Sequence, residues 1–316
     1  MKQLVAGVDI GGTNTIFGLV DKTGKVLAES RIFTRDYPDI NKFIAALSEA
    51  INSLDKKGHE LIGIGIGAPN ANYYKGTIEL APNLPWKGTV PLAELMKQKN
   101  NVPVVVTNDA NAAAVGEMVF GGARNMKNFI VFTLGTGLGS GIVINGEVVY
   151  GHTAFAGELG HTTVVPGGRE CGCGRAGCLE TYASASGLVR TVLQLLSETR
   201  EESVLRDMTP SSLTSKIIAE AAAKKDPVAL EAMDYTAEML AFGIINSVVF
   251  SSPEAVFLFG GLTKAGDILF KPVRKYVDEN IMPIFRGTVK ILPSGISESN
   301  AAVLGAAALA WNELKK

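Results

Sequence analysis

Cysteine is nearly absent from this chain. Only three occur, all between positions 171 and 178. A small odd number bunched so tightly excludes a secreted disulfide framework and fits a metal site better. A charge excess of either sign is also lacking, with 30 Lys and Arg against 31 Asp and Glu. That balance gives no general attraction for nucleic acid or anionic membrane, and no Lys/Arg block stands out. Long apolar runs are missing as well. The longest stretch, Ala301 to Trp311, falls short of the roughly 20 residues that a membrane-spanning helix needs. The apolar run near the N-terminus is interrupted by Asp9 and is too short for a signal-peptide core. These absences predict a soluble, cytoplasmic protein with no nucleic-acid or membrane partner. What is present is apolar: hydrophobic residues make up 47% and charged ones 19%, below the roughly 25% charged of ordinary soluble domains. A chain of 316 residues of this kind predicts a large core, in two modest domains or one large α/β domain.

The pattern along the chain is α/β. Residues 4–10, 16–20 and 25–30 read as a three-stranded antiparallel meander, with Gly11-Gly12 at its first turn and Lys22-Thr23-Gly24 at its second. Ile40, Phe43, Ile44, Leu47, Ile51 and Leu54 fall at helical spacing and predict a helix over 40–57. Strands follow at 61–66 and 103–107, then a helix over 110–118. The order of strand, glycine turn, strand, tight turn and strand then recurs over 129–150, roughly 123 residues on, which suggests an internal duplication and two similar lobes. A chance recurrence of a common unit is the alternative. Later segments predict a helix over 228–250, a strand over 255–259 and an alanine-rich helix over 300–314. No low-complexity linker separates the lobes, so they are expected to pack around a cleft.

Two glycine turns carry candidate chemistry. Asp9-Ile10-Gly11-Gly12-Thr13-Asn14 lies between two strands. Glycine lets the backbone approach a phosphate, and its N–H groups can form an anion cradle. Thr13 adds a hydroxyl, and Asp9 is placed to hold Mg²⁺ through water. Leu134 to Gly141, with Gly135, Thr136 and Gly137, has the same chemistry. One such loop is often only a hairpin; two, one per lobe, read as opposing clamps on one nucleotide. Neither is a P-loop or a dinucleotide fingerprint. Gly260-Gly261 ends a later strand, where bare backbone suits a flat adenine ring, or is merely a strand-end turn.

His161, Cys171, Cys173 and Cys178 are spaced H-x9-C-x-C-x4-C. Four such ligands with no open position suit a closed tetrahedral Zn²⁺ site of the structural kind. Glu158 precedes His161 by three residues and Glu180 follows Cys178 by two. Carboxylates fixed beside such a site can accept hydrogen bonds from sugar hydroxyls. Asn108-Asp109 ends the strand over 103–107, the end at which open α/β sheets bind ligands. A carboxylate there can take the proton of an attacking hydroxyl; a helix N-cap is the plainer role for the pair.

With these residues in view, the chain resembles the ROK family of sugar kinases, within the actin-like ATPase superfamily. DIGGTN at 9–14, LGTGLGSG at 134–141, and GELGH at 157–161 followed by CGCGRAGCLE at 171–180 carry the resemblance, which covers nearly the whole chain. It implies a two-lobed actin-like (ribonuclease H-like) α/β fold with a nucleotide and sugar cleft. One lobe is expected from 1–119 plus 301–316, the other from 120–300. It also implies an ATP- and Mg²⁺-dependent hexose kinase, glucose being the first choice. Fructose, mannose and N-acetylhexosamines are the rival substrates, and a sugar-responsive repressor is the non-enzymatic rival. Such repressors carry an N-terminal DNA-binding domain, for which a first strand starting by residue 4 is expected to leave no room. An actin-like chaperone or filament ATPase fits the zinc signature poorly. By the resemblance Asp109 is the general base. Asn83, Asn108, Glu158, His161 and Glu180 contact the sugar, His161 with one ring nitrogen on zinc. A homodimer or higher oligomer is implied. Two positions depart from the family pattern: Pro69-Asn70 stands where Pro-Gly is frequent, and Asn14 where lysine is.

Overall fold

The computed structural model describes residues 2–297 and 300–315. Strands β1 (Gln3–Ile10), β2 (Asn14–Asp21) and β3 (Val26–Phe33) lead to helix α1 (Ile40–Ser53) and strand β4 (Glu60–Gly67). Short strands β5 (Ala71–Asn72), β6 (Thr77–Glu79) and β7 (Thr89–Val90) precede α2 (Leu92–Asn100), β8 (Val104–Thr107) and α3 (Asp109–Val119). Next come β9 (Phe129–Leu134), β10 (Leu138–Ile144), β11 (Glu147–Val148), α4 (Glu180–Ala183), α5 (Ala185–Glu198), α6 (Ser215–Ala223) and α7 (Pro227–Ser251). The chain continues through β12 (Ala255–Phe259), α8 (Asp267–Asn280), β13 (Lys290–Pro293) and α9 (Ala301–Glu313). None of the described helices is long and apolar enough to cross a membrane.

Two compact units result: residues 1–127, 141–156 and 294–316 form one, 128–140 and 157–293 the other. In the first, the expected antiparallel meander β1-β2-β3 is extended by β4 and β8 in parallel, giving the order β3-β2-β1-β4-β8. Alternation of side chains along a strand sorts its two faces. Leu4, Ala6, Val8 and Ile10 of β1, with Ile64 and Ile66 of β4, share a core with Phe43, Ile44, Leu47 and Ile51 of α1. The intervening glycines face α9. A Cβ on Gly65 would lie 1.9 Å from the Ala306 carbonyl oxygen, and one on Gly7 2.0 Å from that of Val303. The glycine face and the alanine-rich helix therefore meet backbone to backbone.

The second sheet repeats the strand order as β11-β10-β9-β12-β13, with β9, β12 and β13 parallel. This matches the recurrence read from the sequence. In the second unit Phe129 meets Phe257 edge-on, ring centroids 5.9 Å apart. The long α7 begins at Pro227, with the Asp226 side chain accepting the Ala229 N–H, a favoured arrangement at a helix start.

The elements differ from expectation in places. α1 stops at Ser53, not 57: Leu54 is already extended (φ −63°, ψ 139°), and Lys57 (φ 49°) and Gly58 (φ 75°) then turn left-handed. Residues 141–156, expected with the second lobe, belong to the first unit. Gly141 sits against Ala110 and Ala114 of α3, and Tyr150 stacks on Tyr73 at 4.0 Å. Residues 120–127 and 294–297 also join the first unit. Buried Glu117 of α3 holds them, accepting the Gly122 N–H (2.8 Å), the Gly295 N–H (3.0 Å) and the Ser294 hydroxyl.

Candidate functional site

The first unit gathers the acidic residues. The parallel strands β1, β4 and β8 all end at the same edge, with Asp9 in register with Gly67 and Gly67 with Thr107. Asp9 and Asp109 thus flank Gly67. A Cβ at position 67 would stand 3.6 Å from the Asp109 Cα and 3.7 Å from the Asp9 carboxylate, contact distances that place both acidic residues directly beside the end of β4. Burial first, and then the charge of Asp109, push Asp9 up to about 7. Asp109 keeps solvent-exposed surface. The protein packed around its carboxyl nonetheless strips enough hydration to raise its pKa, partly offset by the Ala110 N–H that it accepts at 2.8 Å. Asn108 caps α3, its side chain also accepting the Ala110 N–H at 2.8 Å. The cap role therefore falls to Asn108, while Asp109 keeps an open carboxylate. Two carboxyls held together at raised pKa fit a hard divalent cation, which favours their charged forms.

The adjoining turn leaves two backbone amides open. The Gly11 N–H donates to the Asn14 carbonyl at 2.9 Å and the Thr13 carbonyl accepts the Thr34 N–H at 2.9 Å. Among the described residues, the N–H groups of Gly12 and Thr13 have no partner. The Asn14 side-chain oxygen is buried and likewise unpartnered there. Exposed Asn83 belongs to this neighbourhood: its carbonyl would lie 2.6 Å from a Cβ on Gly12.

The Pro69-Asn70 departure has a backbone explanation. Asn70 sits at φ 50°, in the left-handed region that glycine favours and asparagine tolerates best among other residues. Its side-chain amide also donates to the Leu80 carbonyl at 3.3 Å.

The second unit holds the other set. In the turn after β9, the Gly135 N–H donates to the Gly137 carbonyl at 3.0 Å. The start of α5 pins the turn, with the Ala185 N–H on the Gly135 carbonyl (2.9 Å) and the Ser186 hydroxyl on that of Thr136 (2.6 Å). The Thr136 and Gly137 amides have no partner among the described residues. Gly260, at φ 108°, packs against the Leu134 backbone, so the turn at Gly260-Gly261 adjoins the second glycine turn.

His161, Cys171, Cys173 and Cys178 converge, with ligand atoms all within 4.8 Å of one another. The His161 Nδ1 is 3.6 Å from the Cys171 sulfur, and the sulfurs of Cys173 and Cys178 are 3.7 Å apart. Ligands at about 2.0–2.3 Å from one tetrahedral zinc would be separated by such distances, so the four residues fit the ion. Burial pushes the Cys171 and Cys178 thiols up, while the Arg175 N–H holds Cys173 below the ordinary thiol value. Both proposed sugar carboxylates lie alongside. Glu158 approaches His161 Nε2 at 4.0 Å, and Glu180 approaches Nδ1 at 3.6 Å while accepting the Cys171 S–H at 3.0 Å. The other Glu180 oxygen is 3.4 Å from the Leu138 N–H and would meet a Cβ on Gly137 at 2.7 Å. Glu180 therefore bridges the cysteine cluster and the second glycine turn.

The sequence reading missed the residues that support these. Ser140 donates to the Gly157 carbonyl and accepts the Leu159 N–H at 3.1 Å, holding the turn that carries Glu158. Arg169 lies over the Tyr182 ring at 4.6 Å and donates to Thr181, Gly187 and Thr191, bracing the cysteine loop. Ser140 sits inside the glycine-rich motif at 134–141 without a role having been read for it, and Arg169 carried no signal.

The ROK family model matches residues 5–313. A glucokinase of Streptomyces coelicolor is 38% identical over 277 residues, covering 86% of each chain. A xylose repressor of Caldicellulosiruptor bescii is 31% identical over 315 residues, covering 98% of this chain and 78% of the repressor. Among solved structures, a ROK family glucokinase from Streptomyces griseus in complex with glucose and AMPPNP superposes with a TM-score of 0.82 at 36% identity. The match covers 98% of this chain and 99% of that one.

Proposed function

The chain belongs to the ROK family, and from that premise we propose that it is an ATP-dependent hexose kinase converting glucose to glucose 6-phosphate. Its fold is accordingly the two-lobed actin-like ATPase fold of the ROK sugar kinases. The observation that carries the reading is the pair Asp9 and Asp109 gathered around the bare backbone of Gly67, in a chain 38% identical to a glucokinase.

In this mechanism Asp109 accepts the proton of the sugar 6-hydroxyl as that oxygen bonds to the γ-phosphorus of ATP. The bond from the γ-phosphorus to the bridging oxygen breaks and ADP leaves. Its raised pKa makes Asp109 a stronger base than an ordinary carboxylate. Asp9 holds Mg²⁺, which offsets phosphate charge when bound. The free amides of Gly12 and Thr13, and of Thr136 and Gly137, bind phosphate oxygens, with Gly11 and Gly135 shaping the two turns. Asn14 supports the first turn, and Gly260-Gly261 lie against adenine. Asn83, Asn108, Glu158, His161 and Glu180 accept or donate hydrogen bonds to the sugar hydroxyls. The His161, Cys171, Cys173, Cys178 set would hold a structural Zn²⁺, which would fix His161 and, through Cys178, the loop two residues before Glu180. The residues' work is chiefly positioning.

The same reading has the enzyme in the cytoplasm, as a homodimer or higher oligomer. Light scattering on the purified protein tests the assembly. The likeness to a xylose repressor favours one second reading, a sugar-binding regulator without turnover. Asp109→Asn separates the two. A kinase loses at least about 10²-fold in kcat, the lower end of general-base contributions, with the KM for glucose changed much less. Turnover within a few-fold of wild type would remove Asp109 from the role.

A further inference from the structure

A cavity of about 550 Å³ lies in the first unit at the opposite end of β1 from Asp9. Lys2, Gln3, Asp21, Lys22, Thr23, Lys25, Leu27, Lys57 and His59 line it. The eight residues of β1 set the two ends roughly 20 Å apart, so this cavity is separate from the phosphate turns. Four of its lining residues are lysines, in a chain whose formal net charge is −1. Among the described residues, the ammonium groups of Lys2, Lys22 and Lys57 have no ion-pair or hydrogen-bond partner.

The one carboxylate in the lining is already engaged. Asp21 accepts the Thr23 N–H (2.8 Å), the Thr23 hydroxyl (2.6 Å) and the Lys25 N–H (3.0 Å). Burial by itself would raise its pKa, but these bonds and the Lys25 charge hold it below the usual carboxylate value. Asp55 does not line the cavity and is used to accept the Lys57 N–H at 2.8 Å. His59 is oriented by its neighbours. Its Nδ1 is 2.9 and 3.0 Å from the carbonyls of Lys56 and Lys57, so Nδ1 carries the proton and Nε2 is left for another partner. Three chain segments thus bring four lysines and a single carboxylate to the lining of one recess of ligand size, a local excess of positive charge.

We propose that this cavity is an accessory binding site for a phosphate-bearing small anion. Point-charge lysines match a multiply charged phosphate that needs no bidentate geometry. Two sources share that chemistry: an inorganic oligophosphate and a phosphorylated sugar.

Lysine acetylation footprinting of the full chain, read by mass spectrometry without Mg²⁺, tests the site independently of the phosphate turns. Tripolyphosphate or a hexose 6-phosphate is expected to slow acetylation of Lys22 and Lys57 at least fivefold, with Lys97 and Lys216 unchanged. Protection by tripolyphosphate alone assigns the oligophosphate class, and protection by the sugar phosphate alone assigns the other. In Lys22→Ala/Lys57→Ala, the midpoint for protecting Lys2 and Lys25 should rise at least tenfold while kcat stays at the wild-type value. Equal protection of every lysine, or protection matched by sulfate at the same ionic strength, would overturn the proposal. So would an unmoved midpoint in the double variant.

Discussion

Asp9→Asn should make the protein more stable at neutral pH and above, but not in acid. In the folded chain the Asp9 carboxyl is raised from 3.8 to about 7, whereas unfolded it titrates near its ordinary value. Between those two pH values the folded state holds the extra proton, so stability falls as pH rises. The penalty is absent below about pH 4, grows through the interval and is complete above about pH 7. About three pKa units at 1.36 kcal/mol each give an upper bound on the order of 4 kcal/mol. Relief by a proton on neighbouring Asp109 makes the true value smaller. Asparagine keeps the shape and never charges. Calorimetry of both proteins in EDTA, without nucleotide, from pH 4.5 to 8 should show the variant gaining on wild type up to about pH 7 and levelling off above it. Excess Mg²⁺ should shrink the gap at pH 8, because a cation on Asp9 removes the cost of its charge. A stability difference that stays flat with pH would refute the argument that burial and Asp109 raise Asp9.

Two further outcomes follow from the two units. Cys173→Ser should lower bound zinc below one equivalent by metal analysis and raise the KM for glucose, because His161 and the loop leading from Cys178 to Glu180 lose their anchor; full zinc content with unchanged KM would separate the cluster from the sugar. Asn70→Gly should leave stability and kcat/KM within about twofold, while Asn70→Val should cost about 1–2 kcal/mol through its φ of 50°, read from the unfolding midpoint.

The strands of both five-stranded sheets other than β13 (Lys290–Pro293) were legible because their residues are β-branched and apolar and most end in turns. β9 and β12 begin and end where the sequence reading put them. The His/Cys cluster was legible for a different reason: the three thiols of the chain share eight positions with fixed spacing. The short strands β5, β6 and β7, of two or three residues each, carry too little periodicity to be read. Helix α1 overran its true end because Leu54 continues the apolar spacing, while the left-handed turn at Lys57 and Gly58 leaves no apolar signature. The membership of residues 141–156 depends on Gly141 meeting Ala110 and Ala114, partners about thirty positions away. The closeness of Asp9 and Asp109 is of the same kind. It arises from strand register across β4, a pairing between distant segments that leaves no local pattern in the sequence. Arg169 drew no reading from the sequence, because its partners Tyr182 and Thr191 lie on helices that follow the cysteine loop.

The central claim is glucose phosphorylation, and the direct measurement is ADP release by zinc-replete protein with Mg·ATP across glucose, mannose, fructose and two N-acetylhexosamines. The account predicts a kcat/KM for glucose at least tenfold above every other sugar, abolished in Asp109→Asn. Turnover concentrated on another sugar would contradict the substrate, and no turnover on any sugar, with ATP shown to bind, would contradict the kinase itself.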